Sequence, residues 1–226
     1  MKPNPLDYSL YLVTAAELSG GRSQRQIVAA AIRGGVTLVQ YREKSASTRQ
    51  MIEEARELCA LCRAHRIPFI VNDRVDVALA VDADGVHVGQ DDLPASLARQ
   101  WIGPGKLLGV SVENVAQARL AVEGSADYVG ASPIFTTPTK PDAPPPMGLQ
   151  GLQEIARACP IPVVAIGGLN AKNVANVIRA GAAGVAVVSA IIGAEDPERA
   201  ARELKRVIEA ARLTLDVSCP GQQVEK

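Results

Sequence analysis

The sequence predicts an α/β chain folded as one closed (β/α)8 barrel of the TIM type, a single domain with its core within residues 8–213. Three observations carry this. Eight short runs rich in Val, Ile and Leu alternate with amphipathic segments, and the order of strand and helix is strict. The runs are near-continuously apolar, as parallel strands covered by helices are. The helices also leave repeatedly through small residues into the next apolar run, as at Arg33-Gly34-Gly35, Asp82-Ala83-Asp84-Gly85, Ser125-Ala126-Asp127 and Ala180-Gly181-Ala182-Ala183. An open doubly wound sheet is the alternative, but no G-x-G-x-x-G follows the first run, and Gly103-Pro104-Gly105-Lys106 lacks the spacing of a P-loop.

In chain order, residues 9–14 form the first strand, and 24–33 carry apolar residues at helical intervals before the second strand at 38–42. Residues 48–65 read as a helix ending near His65; Cys59 and Cys62 sit within its apolar spacing, so this CxxC reads as core rather than as a metal or redox site. Strands follow at 69–72, 85–88 and 107–112, a helix at 114–122 and a strand at 128–132. Residues 133–147, rich in Thr and Pro, are the one long irregular stretch, and loops of that length are functional or disordered. Helix 149–158, strand 163–166, helix 173–180, strand 184–188 and helix 197–213 complete eight units. Residues 214–226, with Cys219, read as a disordered tail.

Lys plus Arg balance Asp plus Glu at 24 each, so net charge gives no reason to expect a nucleic-acid or anionic-membrane partner, and anion recognition must be local. No apolar run approaches the roughly 20 residues of a membrane span. The first residues lack the build of a signal peptide, and four irregularly spaced cysteines make no disulfide framework. A cytoplasmic location is the expectation.

Polar residues gather where strands end, the face on which such barrels build active sites. The second strand ends Gln40-Tyr41-Arg42-Glu43-Lys44, the third Asn72-Asp73-Arg74 and the fourth Gly89-Gln90-Asp91-Asp92; the fifth carries Ser111, and Thr137, Thr139 and Lys140 follow the sixth. Arg42, Lys44 and Lys140 beside Asp73 and Asp92 make chemical sense for a polyphosphate carrying magnesium, which uses one or two carboxylates and completes its shell with phosphate oxygens. Small residues at Gly167-Gly168 and Val188-Ser189 mark a second phosphate position at loops seven and eight. His87, mid-strand, receives no role.

Together with Leu10-Tyr11-Leu12-Val13-Thr14, these motifs resemble the thiamine-phosphate synthases from about Leu10 to Pro197. Two departures are Ala15, where relatives commonly carry an acid, and Ser132 before Pro133, where glycine is more usual. The resemblance implies condensation of a hydroxymethylpyrimidine diphosphate with a thiazole phosphate, giving thiamine phosphate and pyrophosphate. It further implies that Gln40, Arg42, Lys44, Asn72, Ser111 and Lys140 bind the diphosphate, and that Asp73 and Asp92 hold Mg2+. Thr137, Thr139, Gly168, Val188 and Ser189 would contact the thiazole phosphate, and Arg42, Lys44, Lys140 and Ser111 would act on the leaving group. The partners implied are phosphorylated small molecules, with homo-oligomer formation left open. The rivals are a thiazole tautomerase of the same barrel family, which needs no diphosphate clamp, and a noncatalytic sensor of a phosphorylated ligand.

Overall fold

The structure, a computed structural model, describes residues 6–137, 139 and 144–217. Eight parallel strands close on themselves in sequence order: β1 (Leu10–Val13), β2 (Leu38–Tyr41), β3 (Phe69–Asn72), β4 (Gly85–Val88), β5 (Leu107–Val112), β6 (Tyr128–Ala131), β7 (Val163–Ile166) and β8 (Gly184–Val187). The seam is β1 against β8, with Tyr11 opposite Ala186. The helices α1 (Gln24–Arg33), α2 (Thr48–Ala64), α3 (Val75–Ala80), α4 (Ala95–Ile102), α5 (Val115–Glu123), α6 (Gly148–Ala158), α7 (Val174–Arg179), α8 (Ser189–Ile192) and α9 (Pro197–Val217) follow in turn. This is the barrel the sequence predicts.

Side chains alternate across a strand, and here both faces are largely buried. Leu10, Leu12, Val39, Phe69, Val71, Val86, Leu108 and Val129 point outward into one large core shared with the helices. Tyr11, Val13, Leu38, Ile70, Tyr128, Val164 and Ala186 point inward and fill the barrel. Helix α2 buries Met51, Ala55, Leu58, Cys59 and Cys62, as its spacing predicts, and burial pushes the Cys62 thiol up to about 12. A capping box starts that helix: Ser47 Oγ accepts from the Gln50 N–H, while the Gln50 side chain accepts from the Ser47 N–H at 3.0 Å.

The end of the barrel away from the strands' carboxyl termini is stapled by α9. The Arg212 guanidinium donates to Ser9 Oγ at 2.5 Å and to the Ala183 carbonyl, bridging the segments that enter β1 and β8. On the opposite face, Arg22 donates to the carbonyls of Ile192 (2.6 Å) and Ala194 (2.8 Å), tying the start of α1 to the end of α8. Helix α9 runs through Val217, so residues 214–217 are helical where the sequence reading places a disordered tail. Cys219 and the rest of 218–226 lie outside the described residues.

Candidate active site

The period-two alternation that sends Leu38 into the barrel also sends Gln40 and Arg42 inward, and the same parity applies to Asn72, Ser111 and Ser132. At the carboxyl ends of β2, β3 and β5 the inward positions change from apolar to polar, and a cavity opens there. Gln40, Arg42, Lys44, Asn72, Asp73, Asp92 and Ser111 line one side; Thr137, Thr139, Gly168, Val188 and Ser189 line the other. The structure therefore brings together twelve of the thirteen residues the sequence singles out. The thirteenth, Lys140, lies outside the described residues.

Local chemistry holds each group in place. Arg42 is anchored through its backbone N–H, which donates to Thr14 Oγ1 at 3.0 Å, and its guanidinium lies 3.6 Å from Glu17 on the short turn after β1. Glu43 faces its own loop. Its Oε1 accepts from the backbone N–H groups of Lys44 (2.8 Å), Ser45 (2.7 Å) and Ala46 (3.1 Å). Burial acts to raise the Glu43 carboxyl, yet these bonds outweigh it and hold the group below its ordinary value, so it braces Lys44 as an anion.

Lys44 Nζ reaches Asp73 Oδ2 at 2.5 Å across the mouth. Asp73 occupies a left-handed conformation, φ +60°, inside a three-residue turn closed by the Arg74 N–H on the Asn72 carbonyl at 2.7 Å. Its own N–H donates to the His87 carbonyl at 2.8 Å, which locks that turn to β4. Beside it, Asp92 Oδ2 accepts from the Gly89 N–H at 2.7 Å. Burial first, and then the adjoining Asp73 carboxyl, push Asp92 above its ordinary value despite that bond and the nearby Lys44. Two carboxylates thus converge where one resists ionising, and hard oxygen donors in such a pair fit a divalent cation of the magnesium type. Among the described residues no group of three or more His, Cys, Asp or Glu gathers here.

The opposite wall depends on two glycines. Gly167 (φ +106°) and Gly168 (φ +66°) follow β7, and a Cβ on them would stand 2.7 Å from Pro133 Cβ and 2.6 Å from the Thr136 carbonyl. That closeness lets the chain after β6 run along the β7 loop, with Ile134 N–H donating to Ile166 (3.0 Å) and Phe135 N–H to Gly167 (3.1 Å). Thr137 and Thr139 are carried to the mouth this way.

The floor holds polar residues that the sequence reading left unassigned. Tyr11, Tyr128 and His87 are buried there and bonded in series between Gln40 and Ser111. Burial pushes the His87 imidazole down to about 4, with Asp92 opposing weakly, so the ring is neutral. Tyrosines in apolar runs read as core from sequence. The available signal was parity, since Tyr11, His87 and Tyr128 share the inward face with Gln40 and Ser111.

Comparison with known proteins agrees with this geometry. The family model described as thiamine monophosphate synthase matches residues 10–191. The thiamine-phosphate synthase of Chloroflexus aurantiacus is 60% identical over 203 residues, covering 90% of this chain and 94% of that protein. That of Roseiflexus sp. is 54% identical over 202 residues, covering 89% of this chain and 86% of the relative. Among solved structures, thiamine phosphate pyrophosphorylase from Pyrococcus furiosus matches with a TM-score of 0.84 at 42% identity, covering 91% of this chain and 98% of its own.

Proposed function

Since the chain belongs to the thiamine-phosphate synthase family, a family of transferases, we propose that its mouth holds the pyrimidine diphosphate on the β2, β3 and β5 side and the thiazole phosphate against the loops after β6, β7 and β8. The observation that carries this assignment is the convergence of Gln40, Arg42, Lys44, Asn72 and Ser111 beside the Asp73 and Asp92 carboxylates. Cations and hydrogen-bond donors on that wall suit a diphosphate. Small residues and threonine hydroxyls on the other suit a single phosphate approached by backbone N–H groups.

In this reading Asp73 and Asp92 would hold magnesium, which would supply neutralisation of the charge that builds on the departing pyrophosphate. Arg42 and Lys44 neutralise the same charge, and Ser111 donates a hydrogen bond to it; Lys140 joins them on the family resemblance alone. Lys44 rests on Asp73 and lines the same cavity, so diphosphate entry would exchange one partner for another. Gln40 and Asn72 orient the pyrimidine side. Thr137, Thr139, Gly168, Val188 and Ser189 fix the thiazole phosphate so that the ring nitrogen faces the pyrimidine methylene, where the carbon–oxygen bond to pyrophosphate breaks and the nitrogen then attacks to form the carbon–nitrogen bond. No protein nucleophile is needed. Cytoplasmic residence is part of the proposal, supported by Cys59, Cys62 and Cys159 being free thiols.

The test mixes protein, magnesium, hydroxymethylpyrimidine diphosphate and thiazole phosphate and follows thiamine phosphate and pyrophosphate together. Equal, chelator-sensitive formation of both is expected, and Asp73→Ala and Asp92→Ala should each cut it by about tenfold or more. Unchanged magnesium dependence in both variants would remove the metal assignment.

A further inference from the structure

Five side chains cross the barrel floor as one continuous series. Gln40 Nε2 donates to Tyr11 Oη at 2.8 Å, Tyr11 Oη meets Tyr128 Oη at 2.8 Å, Tyr128 Oη meets His87 Nδ1 at 3.1 Å, and His87 Nε2 meets Ser111 Oγ at 2.9 Å. We propose that this series is a one-way hydrogen-bond relay that holds His87 as the Nε2–H tautomer and turns the Ser111 hydroxyl proton into the mouth, making Tyr11, Tyr128 and His87 positioning residues for Ser111.

The direction follows from counting protons. An amide nitrogen donates and cannot accept, so Tyr11 Oη accepts from Gln40 and sends its only proton to Tyr128. Tyr128 has then accepted, and its only proton goes to His87 Nδ1. A neutral imidazole that accepts at Nδ1 carries its proton on Nε2, and that proton goes to Ser111 Oγ. With its inward lone pair occupied, Ser111 has no inward acceptor left and its O–H points to the cavity. The reverse sense needs the Gln40 amide turned over. It would spend the serine proton on His87 and present lone pairs to an anion.

The surroundings serve the same series. Tyr11, Tyr128, Gln40 and His87 are each at most 7% exposed, so their bonds are shielded from bulk water. Glycine stands where the rings pass: a Cβ on Gly109 would lie 2.2 Å from Tyr128 Cζ and 2.4 Å from His87 Nδ1, and one on Gly130 would lie 3.0 Å from His87 Cε1. Strand interiors disfavour glycine, so two of them on adjacent strands mark a close approach that is needed. Gln90 Nε2 donates to the Ser111 carbonyl at 2.6 Å, fixing the backbone from which the hydroxyl is aimed. Buried polar groups are costly unless bonded, and each group of this series has its partner.

The donation to a diphosphate rests on the proposed function, whereas the tautomer does not. Histidine-selective 15N NMR on the full chain reads it directly, because His65 is the only other histidine and a His65→Asn variant assigns the signals. A single neutral Nε2–H form of His87 is expected; an Nδ1–H form overturns the relay even if thiamine phosphate is made. If His87 is Nε2–H and no thiamine phosphate forms, the functional reading falls and the relay stands. Tyr128→Phe keeps the ring but removes the link: the tautomers should mix, and kcat should fall by about tenfold while KM for the thiazole phosphate stays within about twofold. Tyr11→Phe breaks only the first link and should show a smaller drop, which also covers the case that Tyr128→Phe does not fold. Wild-type kcat and an unchanged tautomer in the folded tyrosine variants would overturn the proposal.

Discussion

Asp92 is a buried carboxyl whose ionisation works against stability. Its carboxyl is raised above the ordinary value of 3.8 by burial and by Asp73, so between 3.8 and the folded value the folded state binds more protons than the unfolded one, and stability falls as pH rises through that window. Asp92→Asn should therefore melt at a higher temperature than wild type at pH 7, with the advantage gone below about 3.8. Scanning calorimetry across pH checks this, and a lower melting temperature at pH 7 would refute it. Magnesium with the diphosphate should raise wild type more than the variant. At this scale the sequence was legible where strand parity and residue chemistry agree, as at Gln40, Arg42, Asn72 and Ser111. Tyr11 and Tyr128 were not, because partners 117 residues apart leave no local pattern and an aromatic in an apolar run reads as packing.

Among the elements, the turn after β3 shows conformation spent on position. A left-handed φ costs a non-glycine residue about 1–2 kcal/mol, and Asn and Asp bear it better than Ala. We expect Asp73→Asn and Asp73→Gly to keep wild-type stability within about 0.5 kcal/mol and Asp73→Ala to lose about 1 kcal/mol more, measured by urea unfolding. All three should lose activity together, which separates the carboxylate's role from that of the turn. The element boundaries were largely visible in sequence, since the apolar periods differ and small residues punctuate them. The close lie of the β6 and β7 loops was not, as Gly167-Gly168 alone is only a turn signal until Pro133 and Thr136 are seen against it. The extension of α9 past Leu213 was missed because residues 214–226 lie beyond the family resemblance, which stops near Pro197.

For the whole molecule, eight strand and helix units in strict order left few arrangements other than a closed barrel. What sequence order could not give was the fastening of the seam, which depends on side chains 203 residues apart. Arg212→Ala should remove the Ser9 and Ala183 bonds and lower the melting temperature by about 2–6 °C. Synthase turnover at 25 °C should persist, because the mouth is at the other end of the barrel; lost turnover without lost stability would contradict this placement. The same fastening bears on the order of events during synthesis of the chain. β1 is made before its barrel neighbour β8 and before α9, so the first strand waits through seven strand and helix units before its edge is covered and latched. Contacts so distant in sequence form slowly, and the nascent chain presents an open parallel edge until β8 is made. The enzyme is thus assembled as a ring whose clasp is made only after its eight strands, and the form still lacking it is the one most exposed to chaperones and to pairing with its own copies.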